Sequence, residues 1–326
     1  MRDYQADVVH AALCGQPLPA ADFSWSPARA ALFAYCKRAY FIRYYLALGG
    51  WNIHAHPIAR TAYLEKHLPT LKQFLAGTLE HAIADAIAYT VQRNSDSGQL
   101  NIFRQALIRR LEQAVTALVI HLDRGDYRND PKLPGLLETF HGESGFTHPG
   151  KIGSRIAGIF GNVLPGLLAD NWTQDIILAN PLELKMKEKI LQLPWRGFSV
   201  WLHAGIIRLQ GNTASTIRFS ADPEENARDL SLDAAIFRDY ARTKWRKEQA
   251  VFHLFRFPED EETGWSTVEP GPETDTRIDV SSLGMIRMIR DNGTVRMDDF
   301  ECAADREQCL TCSYRKTCEL INNNSK

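Results

Sequence analysis

The sequence predicts a mixed α/β chain of the α+β kind, with a large N-terminal helical region followed by a central mixed sheet. Three observations lead there. Apolar residues recur at three- and four-residue steps through most of residues 27–171, the period of a helix. From residue 181 the pattern alternates with period two, as strands do, in segments parted by the turn-like "PWRG" and "GNT". One helical run then follows the strands, and this order of elements makes an α+β or α/β core with a helical insertion.

Local chemistry sets each element. Residues 1–25 have weak helical character. In "SPARAALFAYCKRAYFIRYYLAL", Ser26 suits an N-cap and Pro27 the first helical position, while Ala31, Phe33, Ala34, Ala39, Phe41, Ile42 and Tyr45 share helical spacing. "LKQFLAGTLEHAIADAIAYTVQ" and "IFRQALIRRLEQAVTALVIHL" carry the helical pattern across 55–122, and another run covers about 150–171. "PLELKMKEKILQLPW", "FSVWLHAGIIRLQG" and "TASTIRFSAD" predict three successive strands. In the first, Leu182, Leu184 and Met186 alternate with Glu183, Lys185 and Lys187. "SLDAAIFRDYARTKWRKEQAVFHLF" predicts a helix, and the acidic "FPEDEETGWSTVEPGPETD" a surface loop. The expected divisions are 1–54, a helical insertion at 55–175, a sheet-bearing core at 176–256 and a C-terminal segment at 257–326.

Composition narrows the function classes. The chain has 326 residues, 44% of them hydrophobic, enough for a sizeable core. Its formal net charge is −1, so any nucleic-acid contact must come from a local patch. The N-terminus lacks the pattern of a signal peptide, and no run approaches ~18 uninterrupted apolar residues. The expectation is a cytoplasmic protein with no membrane span, where clustered cysteines serve as metal ligands rather than disulfides.

Three of six cysteines, Cys309, Cys312 and Cys318, close the chain at C-x2-C-x5-C spacing. Thiolates bind soft metals, and iron–sulfur clusters and structural zinc both take four protein ligands. Residue chemistry leaves two candidates for the fourth. Cys302 gives a local zinc knuckle; Cys36, in the N-terminal helix, gives a clasp between the two ends.

The stretch "SPARAALFAYCKRAYFIRYY" resembles the N-terminal motif of a RecB-like branch of the PD-(D/E)XK nuclease superfamily, which contains CRISPR-associated exonucleases and AddB-type helicase–nucleases. Ser26, Cys36, Tyr40 and Tyr44 fall on that motif, with Lys37 where the family has proline. The C-terminal cysteine spacing matches too. The resemblance implies a restriction-endonuclease-like core and a 4Fe-4S cluster held by Cys36, Cys309, Cys312 and Cys318. It also implies Mg²⁺ or Mn²⁺ chemistry if the site is intact, with acids ligating the ion and a lysine stabilising phosphate charge.

The motif positions depart from that chemistry. His81 falls at the family's helical histidine. "LHAGIIRLQ" resembles the G-x-x-D strand, with Gly205 matched and Arg208 at the aspartate. "STIRFSAD" resembles the D-x-K strand, with Arg218 at the acid and Ser220 at the lysine. In "DAAIFRDYARTKW", Tyr240 matches the family's tyrosine, and Ile236 stands at its glutamine. Arginine stays charged and repels a metal ion, so this placement predicts an inactive nuclease. A competing placement reads Asp175 with Glu183-Leu184-Lys185 as a minimal D…E-x-K, with His81 nearby, although an alternating edge strand produces the same triplet.

Arg208 and Arg218, with Arg238, Tyr240, Arg242, Lys244 and Arg246, are candidate nucleic-acid contacts, lining a cationic groove with Lys247 and Trp245. The plainer readings are a solvated helix face at "RTKWRKEQ", an Arg208–Glu188 pair and a core histidine at His81. The expected function is a catalytically inactive DNA-binding or scaffolding subunit of a repair or anti-foreign-DNA complex. Single-stranded DNA or duplex ends, and a helicase or nuclease, are its expected partners. An active exonuclease or endonuclease and a protein-only adaptor are the alternatives.

Overall fold

The computed structural model describes residues 2–20, 22–92, 99–177, 179, 181–185, 190–222, 227–259 and 263–324. Its N-terminal region contains α1 (Arg2–Leu13), β1 (Leu18–Pro19), β2 (Ser24–Trp25), α2 (Pro27–Tyr35) and α3 (Lys37–Phe41), the last running into a π-helical turn to Leu46. Ser26 caps α2 by accepting from the Arg29 amide at 3.2 Å, and Pro27 begins it. The helical region follows as α4 (Pro57–His67), α5 (Leu71–Gln92), α6 (Gln99–Arg124), α7 (Leu137–His141), α8 (Pro149–Ala169) and α9 (Asn171–Ile177).

By length and composition α8 is apolar enough to cross a membrane. Here it is a core helix, burying Ile152, Ile156, Phe160, Val163 and Leu167 in the cluster it shares with α5 and α6.

The strands β3 (Ile190–Trp195), β4 (Phe198–His203), β5 (Ile206–Gln210) and β6 (Thr213–Ser220) follow. Then come α10 (Ala227–Lys244), β7 (Gln249–Arg256), β8 (Gly264–Val268), α11 (Thr274–Ile286), β9 (Thr294–Val295), α12 (Arg306–Leu310) and α13 (Arg315–Asn324). Three sheets form. β1 pairs with β9, β2-β4-β3 make a three-stranded sheet, and β5-β6-β7-β8 a four-stranded one. The larger sheet is mixed, because β6 and β7 are parallel through the α10 crossover while the outer pairs are antiparallel.

The α/β class stands, and four element expectations are corrected. "FSVWLHAGIIRLQG" is two strands in two different sheets. At the break, Gly205 has φ +64°, and a β-carbon there would overlap the Ile217 carbonyl oxygen. The helix expected through residue 255 ends at Lys244, and "QAVFHLFR" is the central strand β7. Its apolar residues do not alternate cleanly, because both faces meet apolar clusters, Ala250 and Phe252 on one side and Phe255 on the other. The acidic surface loop contains the edge strand β8, though residues 260–262 lie outside the described ones. Of the first expected strand, 181–183 form a 3-10 turn and Leu184 makes a bridge to Arg208, while Met186, Lys187 and Glu188 lie outside the described residues.

The four-stranded sheet separates two apolar cores. Ile206, Ile217 and Phe219 face the cluster of the helical region, where α5 packs. Ile207, Ala214 and Phe252 face the cluster built by the N-terminal segment, α10 and the C-terminal segment.

Candidate functional site

The two ends of the chain meet at Cys36. It closes α2 and caps α3 together, with extended backbone at φ −158° and its thiol accepting from the Ala39 amide at 3.4 Å. The C-terminal segment is bonded to the residues on either side. The Tyr35 hydroxyl donates to the Gln308 carbonyl at 2.6 Å, and Gln308 Nε2 donates to the Tyr35 carbonyl at 2.6 Å. The Arg38 amide donates to Glu301 O at 3.1 Å, and its Nε to Phe300 O at 2.8 Å. Cys312 Sγ in turn accepts from the Tyr314 amide at 3.4 Å.

Cys312 is the electrostatic hub of the thiols. Burial first, and then Cys36, Glu65 and Cys309, push its pKa up to about 11, against the Tyr314 amide bond. Cys318 is also raised, by burial, then by Cys312, Cys302 and Cys36. Burial and neighbouring sulfurs thus disfavour the charged form of both thiols, and a bound soft cation would reverse that preference. Cys36 and Cys312 are buried, Cys318 half-buried, and Cys302 and Cys309 exposed.

Two donor sets are on offer, with Cys302 or with Cys36 as the fourth sulfur. A single tetrahedral zinc holds thiolates roughly 3.8 Å apart, from a zinc–sulfur length of ~2.3 Å. Among the described residues no group of three or more His, Cys, Asp or Glu is arranged to hold an ion. That holds alike for Cys302, Cys309, Cys312 and Cys318 and for Cys36, Cys309, Cys312 and Cys318 as the side chains stand. A four-iron cluster takes one thiolate per iron around a larger body. Cys312 feels the charges of Cys36 and Cys309, and Cys318 those of Cys312, Cys302 and Cys36.

A buried acid anchors the C-terminal side of the clasp. Glu65 on α4 accepts from Thr317 Oγ1 at 2.6 Å and the Lys316 amide at 3.0 Å, and it meets His141 Nε2 at 3.0 Å. The Glu65 and His141 side chains are 0% and 2% exposed, so each needs the other.

The nuclease-like positions fall on β5, β6 and α10, and strand register keeps them apart. Arg208 pairs across strands with Ser215, on the face shared by Ile206 and Ile217, while Arg218 lies on the opposite face. Each arginine holds an acid. Arg208 Nε donates to Glu183 Oε2 at 2.9 Å, and Arg218 is paired with the buried Asp233 of α10. The single cationic groove expected from both is thus not formed. Glu188, the partner weighed for Arg208, lies outside the described residues.

The remaining positions scatter. His81 is exposed on the α6-facing side of α5, bonded through Nδ1 to Gly77 O at 2.6 Å, and its neighbour Glu80 is the buried residue, 3.5 Å from His203 Nε2. Asp175 is exposed on α9, and Lys185 is half-buried with its amide bonded to Ile207 O at 2.9 Å. Ser220 turns its hydroxyl to Asp222, and Ile236 is core. Tyr240 packs edge-on against Trp245 at 4.9 Å. Arg238 pairs with Asp239, whereas Arg242, Lys244 and Arg246 are exposed at the far end of α10.

A cleft of about 970 Å³ runs from the end of β6 to the clasp, lined by Arg218, Ser220, Asp222, Glu138, Cys312 and Arg315 among others. Its rim is charge-balanced: Lys72 pairs with Asp222 at 2.9 Å, Arg155 with Glu259 at 2.5 Å and Arg315 with Glu143 at 2.8 Å. Sequence reasoning missed Glu65 and Asp233. Each was legible as an acid on an apolar stripe, Glu65 beside Ile58 and Ala62, and Asp233 beside Leu230 and Phe237.

No protein-family model matches the chain, and no curated protein matches its sequence.

Proposed function

We propose that this chain is an iron–sulfur, RecB-like nuclease-fold protein without hydrolytic activity, serving as a scaffolding and DNA-binding subunit of a DNA-processing complex. The observation that supports this best is the meeting of Cys36 with the C-terminal cysteines through the Tyr35–Gln308 and Arg38–Phe300 bonds. Cys36, Cys309, Cys312 and Cys318 would hold a 4Fe-4S cluster there. When bound, it supplies a tie across a long stretch of chain, so that loading is coupled to folding. The protein groups do the positioning. The Ala39 and Tyr314 amides orient two sulfurs, and Glu65 fixes the helix that carries Cys318.

The absence of hydrolysis is supported by ion pairing. A hard divalent ion needs converging carboxylates. Glu183 is engaged by Arg208 and Asp233 by Arg218, on opposite faces of one sheet. Helicases or nucleases of repair or anti-foreign-DNA defence are the proposed partners.

The test is incubation of the purified protein with labelled single-stranded and duplex DNA in Mg²⁺ or Mn²⁺. No cleavage is expected. Mn²⁺-dependent cleavage that Glu183→Ala abolishes would overturn the inactive reading and favour the Asp175, Glu183, Lys185 set.

A further inference from the structure

We propose that the tip formed by the end of α10 and the β5–β6 turn docks a nucleic-acid phosphate backbone. The proposal rests on the DNA-linked reading above and gives the contact a place away from the nuclease-like positions. Residues 238–248 carry five cations and two acids in a chain of net charge −1. Both acids are engaged, Asp239 by Arg238 at 3.2 Å and Glu248 by Asn212 Nδ2 at 2.8 Å. Arg242, Lys244 and Arg246 are exposed, with no ion pair to another described residue.

A helix C-terminus welcomes cations against its dipole, which accounts for Arg242 and Lys244. Arg246 needs another reason. Its φ is +55°, the left-handed conformation that ends helices and suits glycine or asparagine. That turn lets the Lys247 amide return to Ala241 O at 3.1 Å, and the Lys247 ammonium reaches the Gly211 carbonyl. The tip is thus held as one piece. A glycine would make the same turn without strain, so the arginine side chain brings nothing to this fold. What it presents outward is a planar donor fork that matches phosphate.

The tip is distant from Arg218, roughly 17 Å along β6 from Thr213. Trp245 and Tyr240 pack against each other as buttresses rather than lying open to bases. The contact is therefore to the backbone, insensitive to sequence and sensitive to salt.

The experiment is fluorescence anisotropy of the full-length protein with a labelled DNA duplex from about 50 to about 200 mM salt. The Arg242→Gln/Lys244→Gln/Arg246→Gly variant is expected to bind about tenfold or more weakly at low salt. Its log–log salt slope should flatten by about 2–3, at ~0.9 per lost phosphate contact, and its melting temperature should hold or rise. Equal binding by variant and wild type overturns the tip and leaves the DNA reading standing elsewhere on the surface. No binding by the wild type at low salt overturns both. Capture of phosphatidylserine vesicles without DNA binding overturns the proposal in favour of a membrane surface.

Discussion

Tyr35 and Gln308 hold each other across the length of the chain, each donating from its side chain to the other's backbone carbonyl at 2.6 Å. The residue after Tyr35 is Cys36, and the residue after Gln308 is Cys309. The reciprocal pair thus ties the segment that carries Cys309 to the one that carries Cys36. Tyr35→Phe removes the hydroxyl's bond to the Gln308 carbonyl and its contact with Thr311 Oγ1 at 3.1 Å, and should cost about 1 kcal/mol, a fall of about 1–3 °C in melting temperature. Combining it with Gln308→Ala should show a coupling of at least ~0.5 kcal/mol in a double-mutant cycle. Purely additive effects would mean that the two residues do not act together.

Glu65 is the buried partner of three groups on two other helices. Glu65→Ala leaves His141 and the Thr317 hydroxyl unpaired in the interior and should cost about 3–5 kcal/mol in denaturant unfolding. Thr317→Val, which removes one donor, should cost about 1–2 kcal/mol. A Glu65→Ala protein as stable as the wild type would sink this network as an anchor of the clasp.

Gly205 separates β4 from β5 at a positive φ with the Ile217 carbonyl against its α-carbon. Gly205→Ala should cost about 4 kcal/mol or more, by strain and overlap together. Gly211→Ala makes the comparison, because that residue also has positive φ but open space around it. It should cost only about 1 kcal/mol. Similar losses at both sites would contradict a special role for the break between sheets.

Glu138 accepts from the Leu71 amide at 2.7 Å in the wall of the cleft, and burial raises its pKa. A raised carboxyl pKa means the fold prefers the neutral acid. The stability it contributes is full below the unfolded value of about 4.3 and is lost as pH rises through the higher folded value. Glu138→Gln keeps the acceptor and removes the charge. The variant should match the wild type near pH 4 and become the more stable one towards pH 7, measured by melting temperature. A difference that grows as pH falls would contradict this sign.

The sequence made the helices legible because their apolar stripes are one-sided, and α2 in particular begins at its expected cap, Ser26. β7 was not legible, because apolar clusters meet both of its faces and its residues show no clean alternation. The cysteine clasp could be proposed from spacing and resemblance. Which face each arginine takes could not, since that depends on a register fixed by the turn at Gly211–Asn212 and the break at Gly205. The ion pairs Arg208–Glu183 and Arg218–Asp233 follow from the same register.

The central claim is the clasp, and the most direct measurement is iron, acid-labile sulfide and zinc content per chain after anaerobic purification. Wild type and Cys302→Ser should be brown, with about four iron and four sulfide per chain, while Cys36→Ser should lose both. A colourless protein with about one zinc per chain, kept in Cys36→Ser and lost in Cys302→Ser, would contradict the clasp and assign the cysteines to a local knuckle.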